Sequence, residues 1–501
     1  MDTLNALMSG FGVALTWQNL FLAFVGVFLG TVIGALPGLG PSNGVAIMIP
    51  VVFTTGLAAT PALILLTSVY YGAMYGGRIS SILLNIPGDE PAMMTTLDGY
   101  PMARKGQAGE ALAISGIASF VGAFVATIGL VVLAPQLVEV ALLFGPAEYF
   151  AMFTLAFATL GGVTSSNQAK AAFATCLGLT LAFVGVDGQT GVPRFTFGNV
   201  HLYDGIDFLV AIVGMFALSE VFLFIEERGK VGSHTTATMP ELGRVVPPWS
   251  MIKQTSGSMG RGTVVGFIAG VLPGAGASLG SFLAYTLEKR TAGKTGHFGQ
   301  GDPRGVAAPE AGNNAAAGGA LVPMLALGVP GSGTTAVLLA MLMALDITPG
   351  PLLFQQQPDV VWGLIAALFI GNFMLLALNL PMVGLFTRLL KIPSMYLMPA
   401  VAMISFIGIY GITNSTFDLL VMVGFGLLGW VLRKLEVPMV PVILGILLGE
   451  LMEKNLRRAL TISDGELSIL YGSPLAMSFL VVALIGFVLP IFARRFIQPR
   501  G

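Results

Sequence analysis

The chain has 501 residues, 55% of them hydrophobic and 10% charged, with a formal net charge of −1. Soluble domains carry about 25% charged residues, so a water-soluble fold of this length is excluded, and the near-zero net charge does not argue for nucleic acid. The single cysteine, Cys176, excludes an intrachain disulfide.

The first apolar run, 17–36, is long enough to cross a hydrocarbon core of about 30 Å. No Lys or Arg precedes Arg78, so the basic n-region of a cleavable leader is missing and this run is expected to be the first span. It ends in GALPGLGPSNG (34–44). Proline removes an N–H donor and glycine permits positive φ, so the helix is expected to break here. Irregular backbone at membrane depth is tolerated only when buried in protein or lining a cavity. Gly38, Gly40, Ser42 and Asn43 are therefore candidate site residues. The helix restarting near Asn43 presents N–H donors and the positive end of a dipole to a carboxylate. Freed carbonyls with Ser42 and Asn43 suit a small cation such as Na+. The competing role for such glycines is close helix packing.

A span at 61–84 contains Arg78, and an ionisable residue inside a span is a functional hypothesis by default. Its guanidinium suits bidentate pairing with a substrate carboxylate, or alternatively a pair with Asp89, Glu90 or Asp98, or snorkelling to the interface. NIPGDEPAMMTTLDGYPM (85–102) follows, carrying Asn85, Asp89, Glu90, Thr95, Thr96 and Asp98. Further spans are expected at 110–134, 147–163, 168–186 and 205–226, then a polar stretch at 226–261 read as a cytoplasmic linker.

Beyond it, a span at 258–272 runs into GVLPGAGASLG (270–280), with Gly274, Gly276 and Ser278. EAGNNAAAGG (310–319) brings Glu310, Asn313 and Asn314, and GVPGSGTT (328–335) brings Ser332, Thr334 and Thr335. The alternative roles are helix capping for the hydroxyls and interhelical hydrogen bonding for the asparagines. Spans at 310–328, 360–387, 397–411, 415–432 and 475–493 complete the series. Shorter apolar pieces at 45–58, 276–287, 334–345 and 437–449 read as re-entrant or broken helices. The fold class expected is an all-α polytopic membrane protein with roughly a dozen transmembrane segments.

The two Gly-Pro breaks share seven of eleven positions at an offset of 236, and GAMYGGRISSILLNIPG (72–88) aligns with AAAGGALVPMLALGVPG (315–331) at an offset of 243. Two matches in one order imply a two-fold internal repeat: 1–225, the linker 226–261, and 262–501. Its orientation is inverted if an odd number of crossings separates the copies. In secondary transporters, corresponding Gly/Pro-interrupted segments point to the binding site.

Basic residues cluster at 104–105, 228–253, 289–304, 388–391, 433–434 and 494–500. The positive-inside rule places those loops and the C-terminus in the cytoplasm and the N-terminus in the periplasm. No G-x-x-x-x-G-K-[ST] phosphate loop, H-E-x-x-H or Cys/His metal spacing occurs, so neither ATP hydrolysis nor a metalloenzyme is indicated. No cofactor or resident metal is expected.

ALPGLGPSNG, YYGAMYGG, SILLNIPG, LDGYPMARKGQAGEAL, LPGAGAS, APEAGNNAAAGGALVPMLALGVPGSGTTAVLLAML and PGPLLF together resemble the large membrane subunit of the tripartite tricarboxylate transporters of bacteria. The resemblance implies a permease in the inner membrane, accompanied by a small membrane subunit. A periplasmic binding protein would deliver a carboxylate such as citrate, and a sodium or proton gradient would drive uptake. One departure stands out: acids occupy positions 89 and 90, where the family pattern favours small polar residues. The rival readings are a channel, a stand-alone organic-anion carrier without a binding protein, an intramembrane enzyme, for which no catalytic pair is visible, and a scaffold subunit.

Overall fold

The computed structural model describes residues 3–162, 167–230, 242–274, 276–389 and 394–497. They form helices almost throughout. Apolar sequence in lipid has no other way to satisfy its backbone within one segment.

The N-terminal helices are α1 Thr3–Ala14, α2 Trp17–Ala35, α3 Gly40–Thr54, α4 Ala59–Leu84, α5 Met93–Met102 and α6 Ala108–Ala141. Next come α7 Pro146–Gly162, α8 Gln168–Ala182, a hairpin of β1 Gly185–Val186 and β2 Pro193–Arg194, α9 Phe208–Ile212 and α10 Ser219–Lys230. The chain continues with α11 Trp249–Val271, α12 Gly276–Ala292, α13 Arg304–Leu327, α14 Gly333–Ala344, α15 Leu353–Gln356, α16 Pro358–Asn379 and α17 Val383–Leu389. The last helices are α18 Ser394–Thr413, α19 Thr416–Lys434, α20 Met439–Ile462, α21 Ile469–Gly472 and α22 Pro474–Ile497.

Six helical stretches among the described residues are long and apolar enough to cross a membrane: Trp17–Ala35, Met93–Ala141, Phe208–Glu226, Pro358–Asn379, Met395–Thr413 and Thr416–Lys434. Boundaries differ from the hydropathy reading in several places: the expected span 360–387 is divided between α16, ending at Asn379, and α17, starting at Val383, and α6 runs to Ala141, beyond the expected end at 134. α11 opens at Trp249, ahead of the apolar run that begins at 258, because its first turns are polar yet helical. α20 continues past 449 to Ile462 through a charged half in which Glu453 and Arg457 pair one turn apart at 2.5 Å. Of the sequence features noted above, residues 231–241 of the linker, Ala275, Lys391 and Arg500 lie outside the described residues, as do the side chains of Arg228, Lys230, Lys294, Arg388, Arg494 and Arg495.

Two compact units are present. The first comprises Met1–Val138 and Phe224–Val401. Within it, Gly26, Gly30 and Gly34 of α2 lie against α4 so closely that a Cβ at each would strike the carbonyls of Leu65, Val69 and Ala73. Gly262, Gly266 and Gly270 of α11 lie in the same way on the carbonyls of Ala308, Gly312 and Ala316 of α13. Small residues every fourth position allow helix backbones to approach, and dispersion between backbones then replaces the hydrophobic drive that lipid does not supply. The α2 and α11 glycines are 236 residues apart and their carbonyl partners 243 apart.

The second unit comprises Glu139–Leu223 and Ala402–Gly501. Gly178 of α8 abuts Gly445 of α20, and Gly429 of α19 abuts Met215, between α9 and α10. The β1–β2 hairpin is tied to α20 by ions. Arg194 lies 2.8 Å from Glu453 and 3.3 Å from Asp187, and Arg457 lies 2.9 Å from Asp187. The backbone N–H groups of Gln189 and Thr190, helped by Arg457 and Arg194, hold the Asp187 carboxyl down at about 2. This is below its unfolded value of about 3.9. The stabilisation it brings is thus present above about pH 4 and lost as pH falls toward 2. Thermal unfolding followed against pH should show that acid limb in the wild type. Asp187→Asn should flatten it while lowering the melting temperature at pH 7.

Candidate functional site

Both sequence-predicted breaks form. After α2, Leu36 turns extended, Gly38 and Gly40 take φ of +86° and +57°, and α3 starts at Gly40 with no capping side-chain bond from Leu39. After α11, Leu272 turns extended, Gly274 and Gly276 take φ of +78° and +64°, and α12 starts at Gly276. These left-handed values are open to glycine and costly for residues with a Cβ, so the chain reverses only where the motif puts Gly.

Each break is met by a connecting tip from its own half. α4 ends on Asn85 in the left-handed region, and residues 86–92 lead to α5. The N–H of Gly88 donates to the Gly77 carbonyl at 3.4 Å, and a Cβ on Gly88 would strike the Gly34 carbonyl. α13 ends on left-handed Gly328, and residues 329–332 lead to α14. Here the N–H of Gly274 donates to the Gly331 carbonyl at 3.2 Å, and Gly331 sits close to the Gly270 carbonyl.

The two halves then cross. Ser42 Oγ on α3 is 2.9 Å from Thr334 Oγ1 on α14. Ser278 on α12 reaches Glu90 Oε2 on the first tip, its hydroxyl donating at 3.4 Å. The Tyr70 hydroxyl on α4 donates to the Ala317 carbonyl on α13 at 3.3 Å and lies beside Ser332. Ser332 and Thr335 form a reciprocal capping box that leaves the first turn of α14 ordered. Asp89 Oδ1 accepts the Ala92 N–H at 2.9 Å at the entry to α5.

Of the candidate residues, the structure brings Ser42, Thr334, Ser332 and Thr335 to one place, and Ser278 to Glu90. Asn43 is buried one residue beyond Ser42. Asn85 is exposed at the α4 terminus. Asn313 is fully buried with both side-chain polar atoms lacking a hydrogen-bond partner, while Asn314 donates to the Glu310 carbonyl at 3.1 Å. Arg78 is 1% exposed. Its Nε donates to the Tyr75 carbonyl at 2.9 Å, Nη1 to the Leu112 carbonyl and Ser115, and Nη2 to Asn379 Oδ1 at 3.1 Å. These bonds tie α4 to α6 and α16.

Two buried carboxylates lock α5 in place. Glu310 accepts the hydroxyls of Thr95 at 2.6 Å and Ser119 at 2.9 Å. Asp98 Oδ1 accepts three backbone N–H groups, of Gly299, Gly301 and Asp302, and Oδ2 accepts the Tyr285 hydroxyl at 3.0 Å. Asp98→Ala should cost about 2–4 kcal/mol, since it strands buried donors. A drop in melting temperature of the purified protein would register it, and Asp98→Asn should recover only part. Tyr70 and Ser119 escape a reading by motif. Tyr70 carried one signal, its place 243 residues before Asn313. Ser119 carried none, lying mid-helix in an apolar run.

Helices able to span a bilayer, interrupted by paired backbone breaks whose polar groups face one another, define a multi-pass membrane protein. The chain belongs to the tripartite tricarboxylate transporter TctA family, whose model matches residues 20–444. It is 40% identical over 489 residues to an uncharacterized 52.8 kDa protein of Agrobacterium vitis from the 3′ region of ttuC′ in TAR-I, covering 97% of this chain and 95% of that protein. A second Agrobacterium vitis protein, from the corresponding region of TAR-II, is 41% identical over 224 residues, 45% of this chain and 93% of that protein. No solved structure matches the chain.

Proposed function

We propose that the chain is the permease subunit of a three-component secondary transporter that imports di- and tricarboxylates on a sodium or proton gradient. A small membrane subunit and a periplasmic binding protein are its proposed partners, and the bacterial inner membrane its place, with the C-terminus cytoplasmic. Family membership supports the class of protein. The observation that carries the reading is the crossing of the two halves, Ser42 on Thr334 and Ser278 on Glu90, at the ends of two broken helices.

The matched glycine seams and matched breaks support a two-fold internal repeat, with roughly a dozen crossings once broken and tilted helices are counted. In this reading the hydroxyls of Ser42, Ser332, Thr334 and Thr335 and the start of α14 hold the carboxylates. Asn43, Ser278 and the backbone at Gly38, Gly40 and Gly276 are the proposed place for a sodium ion. Alternating access about this site would move substrate inward.

The test is uptake of labelled citrate and other di- and tricarboxylates into liposomes carrying the chain and its small partner, with the binding protein outside and each gradient imposed separately. Asn43→Ala and Ser278→Ala should lower uptake by about tenfold or more while leaving the protein folded, as expected when groups that bind a coupled ion are lost. Normal uptake by both variants would reduce the Gly-Pro breaks to packing devices. Uptake without the binding protein would favour a stand-alone carrier, and non-saturating flux a channel.

A further inference from the structure

We propose that Asp89 is the proton-binding site that couples transport to a proton gradient, an assignment that rests on the transport reading above. The two acids at 89 and 90 are the one sequence feature that an anion site leaves unexplained. A tip with two negative charges repels a carboxylate.

The geometry separates the two acids. Glu90 is exposed and accepts the Ser278 hydroxyl. Asp89 keeps Oδ1 on the Ala92 N–H, but its Oδ2 is buried with no hydrogen-bond partner. An ionised carboxylate oxygen buried without a donor is expensive. A donor, a metal cation or a proton would relieve it. Among the described residues no Lys or Arg acts on Asp89: none occurs between Arg78 and Arg104, and the Arg78 guanidinium is committed to Tyr75, Leu112, Ser115 and Asn379. A hard metal cation gathers about six oxygens, whereas the flanks of Asp89 are C–H surfaces. The Gly40 Cα side faces its Cβ, and Gly77 lies against its carboxyl. A proton needs one oxygen. Asp89 is also only partly buried as a residue, so a proton can reach it.

The surrounding charges act in the same direction. Glu90 on the same tip and Glu310 on α13 face Asp89 as like charges, with the Tyr70 hydroxyl on α4 nearby. On the remaining neighbours, α2, α3 and α14 carry no titratable side chain, and α5 offers only Asp98 and Tyr100. The proton forms an O–H bond on Oδ2 and takes the tip from two negative charges to one. The anion then binds beside Ser42 and Thr334. By linkage the bound anion raises proton affinity by the same factor. When the substrate leaves on the other side, the proton leaves with it.

The experiment uses the full chain with its proposed partners in liposomes. It measures exchange of labelled for unlabelled citrate and succinate, then net accumulation under an inward proton gradient without sodium. Asp89→Asn mimics the protonated acid. It should keep exchange and lose gradient-driven accumulation by about tenfold or more, the size of a coupling of this kind. Asp89→Glu should restore accumulation in part. In the wild type, a pH-sensitive dye should record proton entry with substrate. Accumulation by Asp89→Asn equal to wild type, loss of exchange in that variant while it remains folded, no proton entry, or drive by sodium alone would each overturn the assignment. Should Asp89→Asn fail to fold, the dye measurement decides. If the wild type neither exchanges nor accumulates any member of a di- and tricarboxylate panel, the transport reading itself fails.

Discussion

Arg78→Ala is expected to yield almost no monodisperse protein in detergent. Arg78 is the largest fully buried side chain among the described residues, and its guanidinium closes a space bounded by α4, α6 and α16. Its removal strands Asn379 Oδ1 and opens a cavity. It also takes away the cation that faces the buried carboxylate of Glu310. Losing one member of such a buried set costs about 3–5 kcal/mol, comparable with the whole stability of many domains. Arg78→Lys should rescue little, because one ammonium cannot reproduce a planar fork reaching three helices. Gly116→Val should phenocopy it, since a Cβ at Gly116 would strike Arg78 Nη1. Size-exclusion profiles and melting temperatures measure all three. If Arg78→Lys instead melts like wild type and loses only substrate affinity, Arg78 is a substrate ligand.

Gly30→Val and Gly266→Val should each abolish the folded protein, at a cost of about 3 kcal/mol or more. The atoms a new side chain would meet are backbone, the carbonyls of Val69 and Gly312, and no rotamer change can move them aside. Gly260→Ala, on the same helix as Gly266 but with open space around it, should be neutral or stabilising by about 0.5–1 kcal/mol. Comparing Gly260 with Gly266 separates packing from helix propensity. Equal tolerance at both would show that the α11–α13 seam yields to an added side chain.

The two breaks were legible because Pro and Gly act locally, and the backbone turns where the motif says it turns. The six stretches long and apolar enough to cross a membrane were legible for the same reason, hydropathy being a sum over neighbours. What escaped depends on distance in the fold. Nothing in the sequence near Arg78 announces Asn379, 301 residues on. Ser119 is one hydroxyl in an apolar run until α13 brings Glu310 against it. The far half of α20 was missed because its charges lower the hydropathy, while Glu453 and Arg457 keep it helical. Asp89 was visible as an anomaly of charge, but its orphaned oxygen needed coordinates.

The glycine seams carry a mechanical consequence. A helix pair joined through side chains can slide by trading rotamers, but α2 on α4 and α11 on α13 meet backbone to backbone. At those glycine contacts there are no rotamers to trade, so each pair is expected to move as one stiff strut. Compliance in this part of the chain is therefore concentrated where the struts end, at the positive-φ glycines 38, 40, 274 and 276. Four residues without side chains thus act as the joints of a linkage whose arms are two fused helix pairs.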